Sequence, residues 1–282
     1  MPKAEIYQRF HPPIDYREMS VRVTKRDFSD NLTAGDREKI EDEWQRASKE
    51  KPGIFSVPKG LATLCDTQNG VLTFDTTDFK TYLAISRTQR GQNLLSRDAY
   101  TLMRIAAVGA ALYLEDDSIF IHRRKKNSSH VPNAWDSSVA GLVHIKGNEV
   151  NFLYALHEKL QRELGFSNGE IKASDIKVTG VHNSRAPDFS GAMSFAIYTN
   201  LSGKTINDKA RNGRFFEDHV IIPQRELTDF VLSNHLNDEY ICMDGVVTLL
   251  QTLPQEEFSN AVGRINAGEL KIKFGSLEGA SL

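Results

Sequence analysis

The longest apolar run of the chain, residues 105–114, places the strongest constraint on its fold. The run is too short to span a bilayer and contains a glycine, so it favours a strand buried inside a globular protein. An acidic turn, Glu115-Asp116-Asp117, follows the run, and Ile119 to His122 form a second apolar stretch. The two stretches and the turn between them predict a β-hairpin.

A helix is predicted over residues 151–164. Apolar residues recur near helical spacing along it, namely Phe152, Ala155, Leu156, Leu160 and Leu164. Gly165 stands where a C-terminal cap is expected. Strands are predicted on both sides of the helix, near residues 139–144, 176–182, 192–200 and 219–222. Strands on both sides of a central helix indicate an α/β (α+β) sandwich rather than a run of regular βαβ units.

Three segments are predicted along the chain. Residues 1–104 are expected to form a smaller α+β domain. Its first predicted element is a helix that runs through residues 38–47 and is capped by Asp30 or Thr33. Strands over 60–64 and 71–74, joined by an Asn69-Gly70 turn, and short helices over 77–86 and 98–104 are predicted after it. Residues 105–255 are expected to form the main domain, which ends with helices near 225–232 and 244–253. Residues 256–282 are expected to be a C-terminal tail.

Composition excludes several classes of protein. The formal net charge of the 282 residues is −2, so no overall basic field favours binding to nucleic acid. Cys65 and Cys242 lie far apart, so a disulfide framework or a zinc site is not expected. Reduced thiols fit a cytoplasmic protein, and neither the polar first ten residues nor the short apolar run at 105–114 indicates a signal region or a membrane span.

Residues 141–166 carry the motif that points to a function. Gly141 is followed by Glu149, and residues 155–165 read ALHEKLQRELG. This segment resembles the Nudix box, G-x5-E-x7-R-E-U-x-E-E-x-G-U, in which U is an aliphatic or aromatic residue. Residues 132–141 and the stretch PQREL at 223–227 are similar to segments that flank the box in Nudix proteins. The resemblance spans residues 105–250 and implies a Nudix α/β/α sandwich with a mixed sheet.

The resemblance also implies a reaction. Nudix proteins hydrolyse a nucleoside diphosphate linked to another moiety, and glutamates one helical turn apart gather the Mg²⁺ that activates the attacking water. Carried over to this chain, the metal ligands are Glu163 and Glu149, and the catalytic residues are Glu163 and Glu158. Acids in a later stretch, Glu217 and Asp218, are further candidates for a reorganised site.

The box is degenerate at the positions that bind metal. Its R-E-U-x-E-E positions read Glu158, Lys159, Leu160, Gln161, Arg162 and Glu163. Two of the three helix acids are therefore cations. A cation about 4 Å from a bound metal would oppose it by several kcal/mol per unit charge at an intermediate dielectric. The alternative reading of this helix is ordinary surface ion pairing, with Glu158 four residues before Arg162 and Lys159 four before Glu163.

A second resemblance concerns one subgroup, the eukaryotic UDP-glucose (UDP-sugar) Nudix hydrolases. Residues 49–59, which read KEKPGIFSVPK, are similar to a segment of that subgroup. So is VGAAL at 108–112, followed by IFIHRR at 119–124. A UDP-sugar is therefore the substrate that this resemblance implies.

Other residues are candidates for ligand contact. Arg123 and Arg124 begin the densest basic cluster and are expected to contact phosphate, whereas the alternative is a solvated loop. Trp135 could stack on a base or belong to the core. His144 and His157 are candidate general bases, although both could be structural.

Three functions remain open from the sequence. The first is a divergent Nudix hydrolase with a non-standard Mg²⁺ site. The second is a catalytically inactive Nudix domain that binds a nucleotide-type small molecule as a sensor. The third is a protein-interaction module. A homodimer is compatible with each of them.

Overall fold

The computed structural model describes residues 3–50, 60–66, 71–87, 104–127, 132–146, 149–184, 190–212, 216–236, 241–267 and 271–274. The strands in these ranges are β1 (Lys3–Asp15), β2 (Ser20–Asp27), β3 (Gly60–Asp66), β4 (Val71–Asp78), β5 (Ile105–Tyr113), β6 (Ser118–Arg124), β7 (Trp135–Asp136), β8 (Val139–Leu142), β9 (Ile145–Lys146), β10 (Glu149–Val150), β11 (Ile176–Ser184), β12 (Ser190–Tyr198), β13 (Phe216–Pro223) and β14 (Lys271–Phe274). The α-helices are α1 (Ala34–Glu50), α2 (Phe79–Arg87), α3 (Phe152–Leu164), α4 (Gly203–Asn212), α5 (Leu227–Leu236), α6 (Met243–Gln251) and α7 (Gln255–Ala267).

Most of the strands join one mixed sheet that forks beside β5. Its main path runs in the order β14-β1-β11-β12-β5-β3-β4-β2. β5 is parallel to β12 along its whole length, from Ile105 to Tyr113. Along its other edge, β5 pairs with β8 over residues 107–110 and with β6 over residues 112–113. β6 then continues away from the main path, between β13 and β7.

β5 is buried over its whole length because helices cover the sheet on both faces. Ala106, Val108 and Leu112 lie in the core cluster that contains the apolar side chains of α3. Ala111 and Tyr113 point the other way, into the cluster that contains those of α6 and α7. These two layers of helices around a mixed sheet confirm the predicted α/β class. The predicted β5–β6 hairpin is also confirmed.

The predicted helix over residues 151–164 is confirmed as α3, and both ends have a local cause. Asn151 caps the N-terminus, and its side-chain oxygen accepts a hydrogen bond from the Tyr154 N–H at 2.8 Å. Gly165 ends the helix with a φ of +67°, a left-handed conformation that glycine adopts without steric cost.

The other predicted helices agree with the structure to within a few residues. α1 begins at Ala34, directly after Thr33, one of the two predicted caps, because the hydroxyl of Thr33 accepts a hydrogen bond from the Asp36 N–H at 3.1 Å. The predicted Asn69-Gly70 turn and residues 98–103 of a predicted helix lie outside the described residues. None of the described helices is long and apolar enough to cross a membrane.

The end of the chain differs from the predicted tail. Within residues 256–282, α7 buries Phe258, Ala261, Val262 and Ile265 in the core it shares with α6. These residues recur at helical spacing, and a partner surface for them exists only in the folded sheet. β14 then pairs in parallel with β1. β1 also pairs with β11, so the first strand of the chain belongs to the same sheet as the predicted main domain.

Close packing of glycines fixes the position of α6 on the sheet. A Cβ at Gly109 of β5 would lie 2.4 Å from the Oγ1 atom of Thr248 on α6. A Cβ at Gly180 of β11 would collide with the side-chain amide of Gln251 on α6, and it would lie 2.5 Å from the carbonyl oxygen of Gln8. Neither position can therefore accept a side chain without a shift of neighbouring atoms.

A buried polar network joins α6 to β11 and β12. His182 Nε2 lies 3.3 Å from the Asp244 Oδ1 atom, and its Nδ1 lies 3.1 Å from the Ser194 hydroxyl. The same hydroxyl lies 3.3 Å from the Thr248 Oγ1 atom. His182 and Ser194 are fully buried. Because unpaired polar groups are costly inside a protein, this network favours one placement of α6.

We predict that Gly109→Ala destabilises the protein by about 1–3 kcal/mol, because the new methyl group collides with Thr248. Gly263→Ala is the matched control, since a Cβ added at this position of α7 would have nothing within 4 Å. The control is expected to stabilise by up to about 1 kcal/mol through helix propensity. Urea unfolding midpoints measure both effects. Equal midpoints for Gly109→Ala and the wild type would contradict the packing described.

We also predict that His182→Ala costs roughly 2–4 kcal/mol, because it leaves a cavity and removes the partner of Ser194 and Asp244. The control is His157→Ala, at a half-buried histidine on α3. Its cost is expected to stay below about 1 kcal/mol. A destabilisation by His182→Ala no larger than that of the control would refute the structural role of the network.

Candidate functional site

Two charged residues lie on the buried face of α3. Lys159 and Glu163 are 9% and 7% exposed, and every other buried residue of this helix is apolar. Their spacing of four places both on the face that packs against the sheet. The alternative interpretation of the sequence, a pair between them on the surface, is therefore wrong about their location, because both residues are buried.

The ammonium group of Lys159 lies against β8. A Cβ added at Gly141 would be 2.5 Å from both the Cε and the Nζ atoms of Lys159. Burial lowers the pKa of this lysine, and the nearby Arg162 lowers it further. Glu163 and Glu158 act in the opposite direction. The ammonium forms no hydrogen bond or ion pair with any described residue. Its interactions with the neighbouring charges are therefore electrostatic ones at a distance.

Glu163 forms an ion pair with Arg162, its neighbour on α3. Its Oε1 atom accepts a hydrogen bond from Arg162 Nη2 at 2.6 Å. The side chain of Arg162 is 44% exposed, whereas that of Glu163 is 10% exposed. The pair therefore lies at the margin of the core, with the arginine on the solvent side.

β6 contributes two further side chains to the same face as α3. His122 is 5% exposed, and burial is the main reason that its pKa is lowered. The charge of Glu163 acts to raise the pKa of His122. Arg124 lies two residues further along the strand, and its positive charge acts to lower the pKa of both His122 and Lys159. Alternation along a strand explains why these two residues share a face.

A buried aspartate positions Arg124. Asp136 of β7 is 1% exposed, and its Oδ2 atom accepts a hydrogen bond from Arg124 Nη1 at 2.8 Å. Its other oxygen accepts a hydrogen bond from the Ser137 N–H at 2.8 Å. The carboxylate thus holds the guanidinium near the α3 face. Asp136 was not among the residues predicted from the sequence, although it directly follows the candidate Trp135.

The structure separates Arg123 and Trp135 from this face. The guanidinium of Arg123 lies over the Trp135 ring, 5.7 Å from its centre. Trp135 is 5% exposed and packs edge-on against Phe230, in the core cluster of α6 and α7. Strand alternation places Arg123 on the side of the sheet opposite Arg124. Of the two arginines, Arg124 is therefore the one near α3, and Trp135 is a core residue.

The remaining candidate acids are exposed. Glu158 points outward from α3, and Glu149 lies on β10 in a small hairpin with β9. Glu217 and Asp218 are exposed on β13. Across the described part of the chain, no three His, Cys, Asp or Glu side chains come together in a group that could hold a metal ion.

The donor set of this face does not fit a divalent cation. Mg²⁺ binds carboxylate and other oxygen ligands. Of the two acids on α3, Glu163 is paired with Arg162 and Glu158 is exposed. The ammonium of Lys159 adds a positive charge within their electrostatic reach. The residues present therefore oppose a metal rather than attract one.

A cavity of about 390 Å³ lies elsewhere, at the C-terminal end of α3. Its lining includes His157, Leu160, Phe166 and Lys172, and includes neither Lys159 nor Glu163. Burial lowers the pKa of His157, which favours its neutral form. The cavity is thus separate from the charged face. His144, the other candidate base, is partly buried on a bridge to Leu61.

The Ser194–His182–Asp244 arrangement has the order of a catalytic triad but not its accessibility. A nucleophile must reach a reacting atom, and the Ser194 hydroxyl is fully buried between β11, β5 and α6. Its hydrogen bonds are with His182 and Thr248. The arrangement therefore has a structural role.

No family model and no curated protein match this sequence. Among solved structures, the chain is similar to the protein DR0079 from Deinococcus radiodurans, with a TM-score of 0.39 and 15% identity over 53% of this chain and 83% of that one. It is also similar to the MutT protein from Methanosarcina mazei Go1, with a TM-score of 0.30 and 12% identity over 58% of this chain and 95% of that one. TM-scores below 0.5 establish neither a family nor an activity for this chain.

Proposed function

We propose that this protein binds a nucleoside diphosphate derivative at the face formed by α3, β6 and β8, and that it does not hydrolyse that ligand efficiently with Mg²⁺. The observation that carries the proposal is the ion pair between Glu163 and Arg162, at 2.6 Å. In the Nudix resemblance, Glu163 is the helix acid left to hold the metal. Here that carboxylate is already neutralised by its neighbour.

Binding is supported by the charges that remain on this face. Lys159 and Arg124 are both cations near the inner side of α3. Cations inside a partly enclosed site attract phosphate more strongly than surface cations do, because water screens them less. The order of the Nudix-like segments along the chain is the reason for choosing a nucleoside diphosphate derivative. The UDP-sugar resemblance makes UDP-glucose the first compound to test.

A hydrolase with a rebuilt metal site is the second candidate. It is favoured by the position of Glu163, which is 7% exposed and near His122. The exposed Arg162 could move towards solvent and release the carboxylate for Mg²⁺. In that case Glu163 and Glu158 would be the catalytic acids, as the resemblance implies.

We predict that UDP-glucose, ADP-ribose or a dinucleoside polyphosphate raises the melting temperature without being turned over. Ligand at 100 times its Kd contributes about 2.7 kcal/mol, which corresponds to a rise of several degrees in a domain of this size. A hydrolysis screen of the same compounds, with Mg²⁺ or EDTA and with identification of the products, measures turnover. We expect no Mg²⁺-dependent product.

Two variants separate the candidates. If the protein is a hydrolase, Arg162→Gln frees Glu163 and raises Mg²⁺-dependent turnover, while Glu163→Gln reduces it about 100-fold or more, the range expected for loss of one essential catalytic group. Under the proposed function, neither variant shows Mg²⁺-dependent turnover. A melting temperature that no nucleotide shifts, together with no turnover, would leave the protein-interaction module as the remaining reading.

A further inference from the structure

Lys159 stands out among the charged groups of the α3 face because its charge has no direct partner. The residue is only 9% exposed, yet the ammonium forms no hydrogen bond or ion pair with any described residue. Buried cations in proteins are normally paired, because the loss of hydration is costly. An unpaired one therefore needs an explanation beyond packing.

The neighbouring charges cannot supply that partner, since each buried acid on this face already has its own. Asp136 accepts a hydrogen bond from Arg124 at 2.8 Å. Glu163 accepts one from Arg162 at 2.6 Å. Glu158 belongs to the same helix but is exposed. After these pairings, Lys159 has no direct partner among the described residues, and Glu163 and Glu158 act on its charge only at a distance.

Packing alone does not require an ammonium at this position. The residues that share the buried face of α3 with Lys159 and Glu163 are apolar, for example Leu156 and Leu160. A methionine has similar length and would bury its side chain without the cost of a charge. The end of the lysine side chain lies over Gly141, which leaves space for it because glycine has no side chain.

We propose that Lys159 is a built-in cation that binds a phosphate oxygen of the ligand in place of a divalent metal. The inference rests on the proposed function for the identity of the ligand, a nucleoside diphosphate derivative. Arg124, held by Asp136, is the second cation of the site. The consequence is that binding is independent of Mg²⁺, because the protein itself carries the charge that neutralises the phosphates.

The test compares UDP and inorganic pyrophosphate binding to the full chain in EDTA and in excess Mg²⁺, by calorimetry and by melting temperature. Both anions are expected to bind in EDTA. Excess Mg²⁺ should leave the affinity unchanged or weaken it, since the metal neutralises the free anion. Lys159→Met is expected to weaken binding roughly 10-fold to 100-fold, the loss of one charge-assisted hydrogen bond.

Three further measurements show whether weaker binding comes from the position of the Lys159 ammonium, from a general loss of positive charge or from loss of stability. Lys39→Met removes the same charge from an exposed position on α1 and is expected to bind as the wild type does. The unliganded Lys159→Met protein is expected to melt at or above the wild-type temperature, because it loses a buried charge that has no direct partner among the described residues. Gly141→Ala keeps the charge but displaces the ammonium, so it should weaken binding while the lysine is still present.

The outcomes distinguish this inference from the proposed function on which it rests. Binding that appears only with Mg²⁺ would overturn the role of Lys159 and leave nucleotide binding intact. Equal affinities of Lys159→Met and the wild type in EDTA would do the same. If neither UDP nor pyrophosphate binds under either condition, while UDP-glucose and ADP-ribose also leave the melting temperature unchanged, both proposals fail together.

Discussion

Burial of β5 on both faces is the constraint on which the rest of the structure depends. Ala106, Val108 and Leu112 contribute to one core, and Ala111 and Tyr113 contribute to another. One core requires α3, and the other requires α6 and α7. Because β3, β8 and β6 share the edge of β5 that does not pair with β12, the sheet forks, and the fork brings His122 and Arg124 near the inner face of α3. The charged site is thus a consequence of how one apolar strand is covered.

Local signals predicted the elements next to this strand. The spacing of Leu156, Leu160 and Leu164 and the cap at Gly165 define α3 within a few residues of its own sequence. α7 and β14 were missed because their partners are remote. β14 pairs with β1, at the opposite end of the chain, and a periodic apolar pattern does not reveal which surface it will cover. The prediction for residues 256–282 therefore contained neither element.

Most of the residues of the α3 face were predicted from the sequence, but the ion pairs between them were not. Helical spacing placed Lys159 and Glu163 together, but it suggested a pair between them. The structure instead pairs Glu163 with Arg162, its neighbour in sequence, so helical i, i+4 geometry was a poor guide. Strand alternation could have separated Arg123 from Arg124, since the second shares its side of β6 with the buried His122. Asp136 meets Arg124 only because β7 pairs with β6 in the forked part of the sheet, and no local sequence pattern predicts that pairing.

The buried residues His182 and Lys159 show how a polar group that stabilises the fold differs from one that is available to bind a ligand. Both nitrogens of His182 have a partner, Asp244 on one side and Ser194 on the other, so its environment is complete without a ligand. Lys159 is 9% exposed, and its charge interacts with the neighbouring acids only at a distance. A buried polar group with all its hydrogen-bond partners stabilises the fold. A buried cation without a direct partner lowers the stability of the fold but remains able to bind an anion. By this criterion the triad-like residues hold α6 in place, and the lysine on α3 is the group directed at a ligand.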